Sequence, residues 1–466
     1  MQKTFEELYQ ALDKIIDVRT LLPDVVRVLV THKDMVLAWL ESQEFKEKYT
    51  NHPYPPLLNP ATINYNGIPA EFAWELNLPL PPYFDFLFVA SHGAGGNGFH
   101  NFLRRCGCLD FYYGGIEDAR ATYVSIYQQI LKNALNKNSK SKYTYLHIED
   151  YVLRGDYKKY FALVPKKPAI NLVRDPISIL KHYLGAKRPT GAGRGIFSLT
   201  CEPRSVIDAR TGYGFVREQT STPTLDEIPF WINYLPLCYH DTQLISALIN
   251  VDSITYVDMQ EILGDVAFDT MCALAQKFDW IMPKESEREF YTRRVADFGL
   301  GFPFKLYAHP SDIEKLQNGF TNDYSSCQLQ GGIPLTITTC YQIEEGQTDI
   351  TAAFFKKNIS PLVITATAQE CRNLLQNPQL AQVCSAYLKA FVQAVFAKKD
   401  AEIAKRLKEE AVLEYFKQKP FFREKFKKIL ESHLAHLQQH RPDIIKGWKY
   451  YTQFLEICKK DSAKSE

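Results

Sequence analysis

Asp85-Phe-Leu-Phe-Val-Ala-Ser-His-Gly-Ala-Gly-Gly-Asn-Gly-Phe-His-Asn-Phe-Leu103 decides how this chain is read. Phe86 to Ala90 has the look of a short apolar strand, glycines 93, 95, 96 and 98 of a turn, and the residues after them of a helix start. Glycine lets the backbone wrap tightly, and the first N–H groups of a helix have no partner inside it. Such a turn is suited to an anion, above all phosphate. Close packing of strand on helix also asks for glycine, so both readings stand on this stretch alone. On the binding reading, Gly93, Gly95, Gly96, Asn97 and Gly98 form the phosphate cradle.

Around this turn, residues 84 to about 300 alternate strand-like and helix-like segments. The strands expected are 85–90, 143–148, 168–173 and 253–257, with helices at 119–136, 176–185 and 226–249. Alternation predicts an α/β fold, a parallel sheet with flanking helices, whose ligands sit at the carboxyl ends of the strands. Residues 1–50 read as a helical segment, and 51–83 as an arm of eight prolines and many aromatics that packs on the next domain. Residues 301–367 are β-rich, a hairpin or small antiparallel addition, and 368–466 are helical again.

Composition sets bounds on function. Net charge is +2, which offers no overall field for nucleic acid. The ten cysteines include no CxxC pair and no Cys/His grouping with zinc spacing, so no metal is expected. No signal-like apolar start and no spanning apolar stretch are evident, which points to the cytoplasm. From Lys419 onward there are 11 Lys/Arg against 6 Asp/Glu. That is either a solvated helical face or a weak peripheral contact with the inner membrane face.

A second constellation is Ala169-Ile-Asn-Leu-Val-Arg-Asp-Pro-Ile-Ser-Ile-Leu-Lys-His-Tyr183. A strand ends at Val173, Arg174 follows at its carboxyl end, and Pro176 suits a helix start. Ser178 and His182, four apart, share a helix face, and Arg174 and Lys181 can supply charge to a phosphate. Acid–base candidates close the strand at 143–148: His147, Glu149 and Asp150, each with a structural alternative as packed ring or helix cap. His92 and His100 flank the glycine turn. Lys187-Arg-Pro-Thr-Gly-Ala-Gly-Arg194 is a basic loop able to close over a charged donor, and His240-Asp241 is a weaker polar pair.

Strand, glycine turn and helix, then strand-Arg-Asp-Pro-helix, resembles the sulfotransferases over residues 84 to 282. Ile254-Thr-Tyr-Val-Asp-Met-Gln-Glu-Ile-Leu-Gly-Asp265 resembles a late strand and helix of that fold. The resemblance implies a sulfotransferase-like P-loop core. The first motif would hold a donor 5′-phosphate; the second, with Arg174, Ser178 and His182, a further phosphate. The chain departs from the pattern: Gly93-Ala-Gly-Gly-Asn97 lacks the usual Lys or Arg and both hydroxyls, and His182 stands where a serine is usual. His92 or His100 is then the candidate to replace the missing lysine. No Gly-Lys-Ser/Thr follows, so this is not a Walker A turn.

The whole chain also resembles a family of bacterial capsule and surface-glycan loci, described loosely as sugar transferases. The arm Asn64-Tyr-Asn-Gly-Ile-Pro-Ala-Glu-Phe-Ala-Trp-Glu-Leu-Asn-Leu-Pro-Leu-Pro-Pro82 and Arg174-Asp175-Pro176 carry that resemblance. Some of its chains are linked to transfer of methyl phosphoramidate from a cytidine nucleotide. The implied function is transfer of a charged group from a nucleotide donor to a hydroxyl of a capsular or surface polysaccharide. The donor would be a cytidine nucleotide or 3′-phosphoadenosine 5′-phosphosulfate. Two rivals remain: a non-catalytic nucleotide- or glycan-binding scaffold, and a sugar-nucleotide glycosyltransferase, which the lack of an Asp-x-Asp motif disfavours.

Overall fold

Phe86-Leu-Phe-Val-Ala90 has no polar side chain to turn toward water. In the computed structural model of the chain it is a strand with every residue buried. The structure describes residues 2–114, 118–135, 142–149, 155–187, 195–214, 220–234, 241–292, 301–321, 331–340 and 343–462. Asp150, His240 and residues 188–194 of the basic loop therefore lie outside the described residues.

The strands, in chain order, are β1 (Phe86–Ala90), β2 (Cys108–Gly114), β3 (Tyr143–Glu149), β4 (Lys167–Val173), β5 (Ile196–Ser198), β6 (Val251–Asp258), β7 (Phe304–Ala308), β8 (Ile333–Thr339), β9 (Thr348–Asp349) and β10 (Leu362–Ala366). They form two five-stranded sheets. The chain divides into two units, and each holds one sheet. The first unit is Met1–Pro176 with Tyr234–Arg293 and Arg423–Glu466; the second is Ile177–Asn233 with Arg294–Phe422.

The first unit's sheet runs β2-β3-β1-β4-β6, parallel throughout. This is the α/β arrangement with a parallel sheet and flanking helices that alternation predicts. β2 is the strand that the sequence pattern hides. Cys108-Leu-Asp-Phe-Tyr-Tyr-Gly114 is neither a clean apolar run nor a clean alternation. β1 is central, and successive strands leave it in opposite directions, β3 to one side and β4 to the other. The carboxyl end of β1 is thus a topological switch point, where open α/β sheets form their binding crevice.

One sheet face carries Leu87, Val89, Leu146 and Ile148 against Trp74, Leu78, Tyr123, Tyr127 and Phe161. The proline-rich arm belongs to this core. Its backbone groups are taken up by buried donors: the Trp39 indole on Pro56 O at 2.9 Å, and the Tyr123 hydroxyl on Leu78 O at 2.7 Å. On the other face Phe86 stacks on Tyr145 and Phe88 on His147, at 5.0 and 4.7 Å between ring centres. Of segment 226–249, residues 226–234 and 241–249 are described. They hold helices Ile228–Tyr234 and Asp241–Ala247.

The second unit's sheet runs β5-β7-β8-β10-β9. β7, β8, β10 and β9 pair antiparallel in turn, and β5 joins parallel to β7. The β-rich stretch 301–367 is therefore most of a sheet that takes one strand from residues 196–198. Helix Pro378–Ala404 buries Leu380, Cys384, Tyr387, Leu388, Phe391, Val392 and Val395 in that unit's core. The stretch Pro378–Gln418 is long and apolar enough to cross a membrane by composition, although no such stretch is expected from the sequence. Its buried face gives a sufficient reason for its apolar character.

Candidate functional site

Ser91 to Gly95 link β1 to helix Gly96–Arg105. Ala94 N bonds Ser91 O at 3.0 Å, which closes the turn. Gly95 is the residue before the helix, at φ +107°, a backbone that side chains rarely adopt. A Cβ there would lie 3.3 Å from Met259 Cγ, just beyond the end of β6. No side chain caps this helix start. Gly96 opens the helix, Asn97 is exposed, and a Cβ on Gly98 would meet open space.

Register brings the other candidates to the same edge. Ala90 sits opposite Glu149 on β3 and Leu172 on β4, and Val173 opposite Asp258 on β6. Glu149 shares its strand face with Tyr145 and His147, the face on which helix Gly96–Arg105 packs. Its Oε1 would be 3.6 Å from a Cβ on Gly96 and is 3.9 Å from His92 Nδ1. A carboxylate with a neighbouring imidazole stands at the start of the turn helix, with His92 half-exposed.

Arg174 also reaches the turn, donating from Nη1 to Gly93 O at 2.6 Å. Part of its fork holds the turn in shape. The next residue serves another element. Asp175 is buried, and its Oδ2 accepts from Tyr450 N and Tyr451 N at 3.0 and 3.1 Å. It thereby caps helix Lys449–Ser462. Asp258 accepts from the Trp448 indole at 3.2 Å. Burial pushes the Asp258 carboxyl up to about 6, against the indole and nearby backbone donors that lower it. So Trp448, Lys449 and Tyr450 stand beside the strand ends of β4 and β6. Sequence reasoning assigned none of them to the site. Only Asp258, at a strand end three before Glu261, gave a local signal, and that of a helix cap.

The remaining candidates lie elsewhere. His147 is 2% exposed, stacked on Phe88 and edge-on to His100 at 4.5 Å. Burial, with His100 adding to it, holds its imidazole well below the usual range. It is a packed neutral ring, the structural alternative left open for it. His100 is buried too, with Nδ1 2.6 Å from the Tyr145 hydroxyl, and burial lowers it to about 4. A ring enclosed in this way is no substitute for a lysine beside phosphate.

Ser178 and His182 belong to the second unit. The Ser178 hydroxyl donates to Glu409 Oε1 at 2.9 Å, and Lys181 Nζ is 3.1 Å from the same oxygen. Burial would raise the Glu409 carboxyl, but Lys181 and Ser178 more than offset it and keep it low. A charged carboxylate so close to Ser178 repels a phosphate rather than receiving one. His182 is exposed. Among the described residues no group of three or more His, Cys, Asp and Glu could hold a metal ion.

A family profile described as "Protein of unknown function (DUF2972)" matches residues 256–460, less than half of the chain. That stretch includes Asp258, Glu261 and the Trp448–Tyr451 segment at the strand ends. No curated protein and no solved structure matched the chain. The chain is thus similar, over its C-terminal part, to a family without an assigned activity.

Proposed function

We propose that the chain is a group transferase that moves a charged group from a nucleotide donor to a sugar hydroxyl. The observation that carries this reading is the shared edge. An uncapped helix start, a carboxylate and an arginine converge where a parallel sheet reverses its winding. The amides of Gly95 to Gly98 and the Arg174 guanidinium would hold the donor phosphates. Glu149 would take the acceptor proton, with His92 beside it to share the charge. The sulfotransferase-like P-loop character of this core, and a capsular or surface polysaccharide as acceptor, rest on the resemblances of the sequence. A cytidine nucleotide or 3′-phosphoadenosine 5′-phosphosulfate then supplies the group, at the cytoplasmic side of the membrane.

One observation favours a second reading, a scaffold that binds nucleotide or glycan without turnover. Arg174 spends a donor on Gly93 O, and the turn lacks its lysine. A thermal-shift screen decides between them and names the donor class. The ligands are 3′-phosphoadenosine 5′-phosphate, cytidine nucleotides and sugar nucleotides. A ligand at 100 times its Kd stabilises the fold by about 2.7 kcal/mol. A hit followed by turnover on a glycan supports the transferase, a hit without turnover the scaffold. No hit in any class removes both.

A further inference from the structure

Near the end of helix Pro378–Ala404 stands a carboxylate that the site above does not use. Glu402 is 2% exposed. One of its oxygens accepts from the Tyr213 hydroxyl and lies 3.6 Å from Lys187 Nζ. The other is 3.0 Å from Lys405 Nζ and 3.3 Å from Lys398 Nζ. Lys398 also reaches Asp208 at 2.6 Å. Burial would raise the Glu402 carboxyl, but Tyr213 and the three lysines outweigh it and keep it charged.

A buried carboxylate is neutralised by one cation, and this one has three. The lysine side chains are largely covered, at 14, 20 and 30% exposure for Lys187, Lys398 and Lys405. Burial pushes Lys187 down, and Arg406 and Lys398 push it the same way against Glu402. Arg406 is exposed and makes no ion pair among the described residues. Among the described residues, these four cations against Glu402 and Asp208 leave an excess of two positive charges.

A second observation comes from the same segment, two residues after Asp208. The Arg210 guanidinium is wedged where Gly195 and Gly301 leave room for it. A Cβ at Gly195 would fall 1.7 Å from Nη1, and one at Gly301 would fall 3.1 Å from Nη2. Arg210 donates to Pro303 O at 3.0 Å and lies 5.1 Å from the Phe304 ring centre. Its Nε is buried without a partner, and no carboxylate meets it among the described residues. All of these residues belong to the second unit.

We propose that this basic cluster is an anion subsite for a phosphate monoester carrying two charges, held by Lys398, Lys405, Arg406 and Lys187. The argument is one of charge. Two surplus cations in a partly covered setting repel each other, and a dianion removes that cost through charge-assisted hydrogen bonds. The cluster belongs to the second unit and the glycine turn to the first.

The test is calorimetric titration of the full-length Arg174→Ala protein, in which the first unit's proposed phosphate contact is weakened. The probes are inorganic pyrophosphate and glucose 6-phosphate. Binding of either is expected, weakening with added salt and at least tenfold weaker in Lys398→Ala/Arg406→Ala. Pyrophosphate alone would assign the cluster to free phosphate groups, and glucose 6-phosphate to sugar esters. Arg406→Ala, which removes no ion pair of the fold, should weaken binding severalfold with an unchanged circular dichroism spectrum. No binding of either probe, or equal affinity in both variants, overturns the proposal. Comparing wild type with Arg174→Ala reads the glycine turn separately, so one site can fail without the other.

Discussion

At the scale of the residue, the difference between His147 and Glu149 is one of depth. They share a strand face two residues apart, yet one lies under the turn helix and the other at its start. The sequence placed both at a strand end and could not tell which ring or carboxylate is enclosed. Burial is set by Phe88 and His100, which come from other elements. The proposed base is therefore Glu149. Glu149→Gln is expected to cut turnover about 10²–10⁴-fold with donor affinity retained, read by single-turnover kinetics on the donor found in the screen. Full activity in that variant would move the base elsewhere. Arg174→Ala is expected to weaken donor binding by about 1.5–3 kcal/mol, the range for hydrogen bonds to charged groups. Equal nucleotide affinity in a folded Arg174→Ala protein would leave Arg174 a purely structural clasp on Gly93. Arg174 was legible because a basic residue at a strand end stands out. Its bond to a carbonyl of the turn was not, because it joins residues 81 apart in the chain.

Elements show where local pattern suffices and where it fails. The β1 turn was readable in full, since an apolar run and four glycines have few other outcomes. Gly95 is the sensitive position. At φ +107° and with Met259 Cγ 3.3 Å from a new Cβ, Gly95→Ala should destabilise by about 1–3 kcal/mol. Gly98 sits inside the helix with open space at its Cβ, so Gly98→Ala should be neutral or stabilise by up to about 1 kcal/mol. Denaturant midpoints of the two variants check the contrast, and a Gly95→Ala protein as stable as wild type would refute the strain. The Asp175 cap belongs to this scale as well. Asp175→Ala should cost about 0.5–2 kcal/mol through the start of helix Lys449–Ser462. The sequence shows Asp175 only as part of an Arg-Asp-Pro helix start. Its partners, the N–H groups of Tyr450 and Tyr451, carry no side-chain signature at all.

For the whole molecule, enclosed histidines make stability depend on acid. His100 is lowered to about 4 from 6.5 by burial, and burial also holds His147 well below its usual value. Unfolding restores their ordinary values, so between about pH 6.5 and 4 the unfolded chain binds more protons than the folded one. Their contribution is complete above pH 6.5 and falls as pH drops, for His100 by about 1.4 kcal/mol per pH unit down to its folded value. Asp258, raised to about 6, keeps its proton when folded and acts in the opposite direction, one group against two. Melting temperature should therefore fall between pH 7 and pH 5, and a flat profile would count against the enclosed pair. Alternation of strands and helices revealed the class of the first unit. It did not reveal that the unit is assembled from three stretches of chain, because contacts between distant stretches leave no local periodicity. That assembly has a consequence in time. Asp175 and its partner Tyr450 are 275 residues apart. At roughly 5–20 residues per second, a ribosome takes on the order of 14–55 s to pass from one to the other. During that interval the nascent sheet carries the ends of β4 and, once made, β6 without the helix start that will stand beside them, and the entire second unit is made meanwhile. A holding chaperone would meet this protein at those strand ends, and a stalled ribosome would leave it open there.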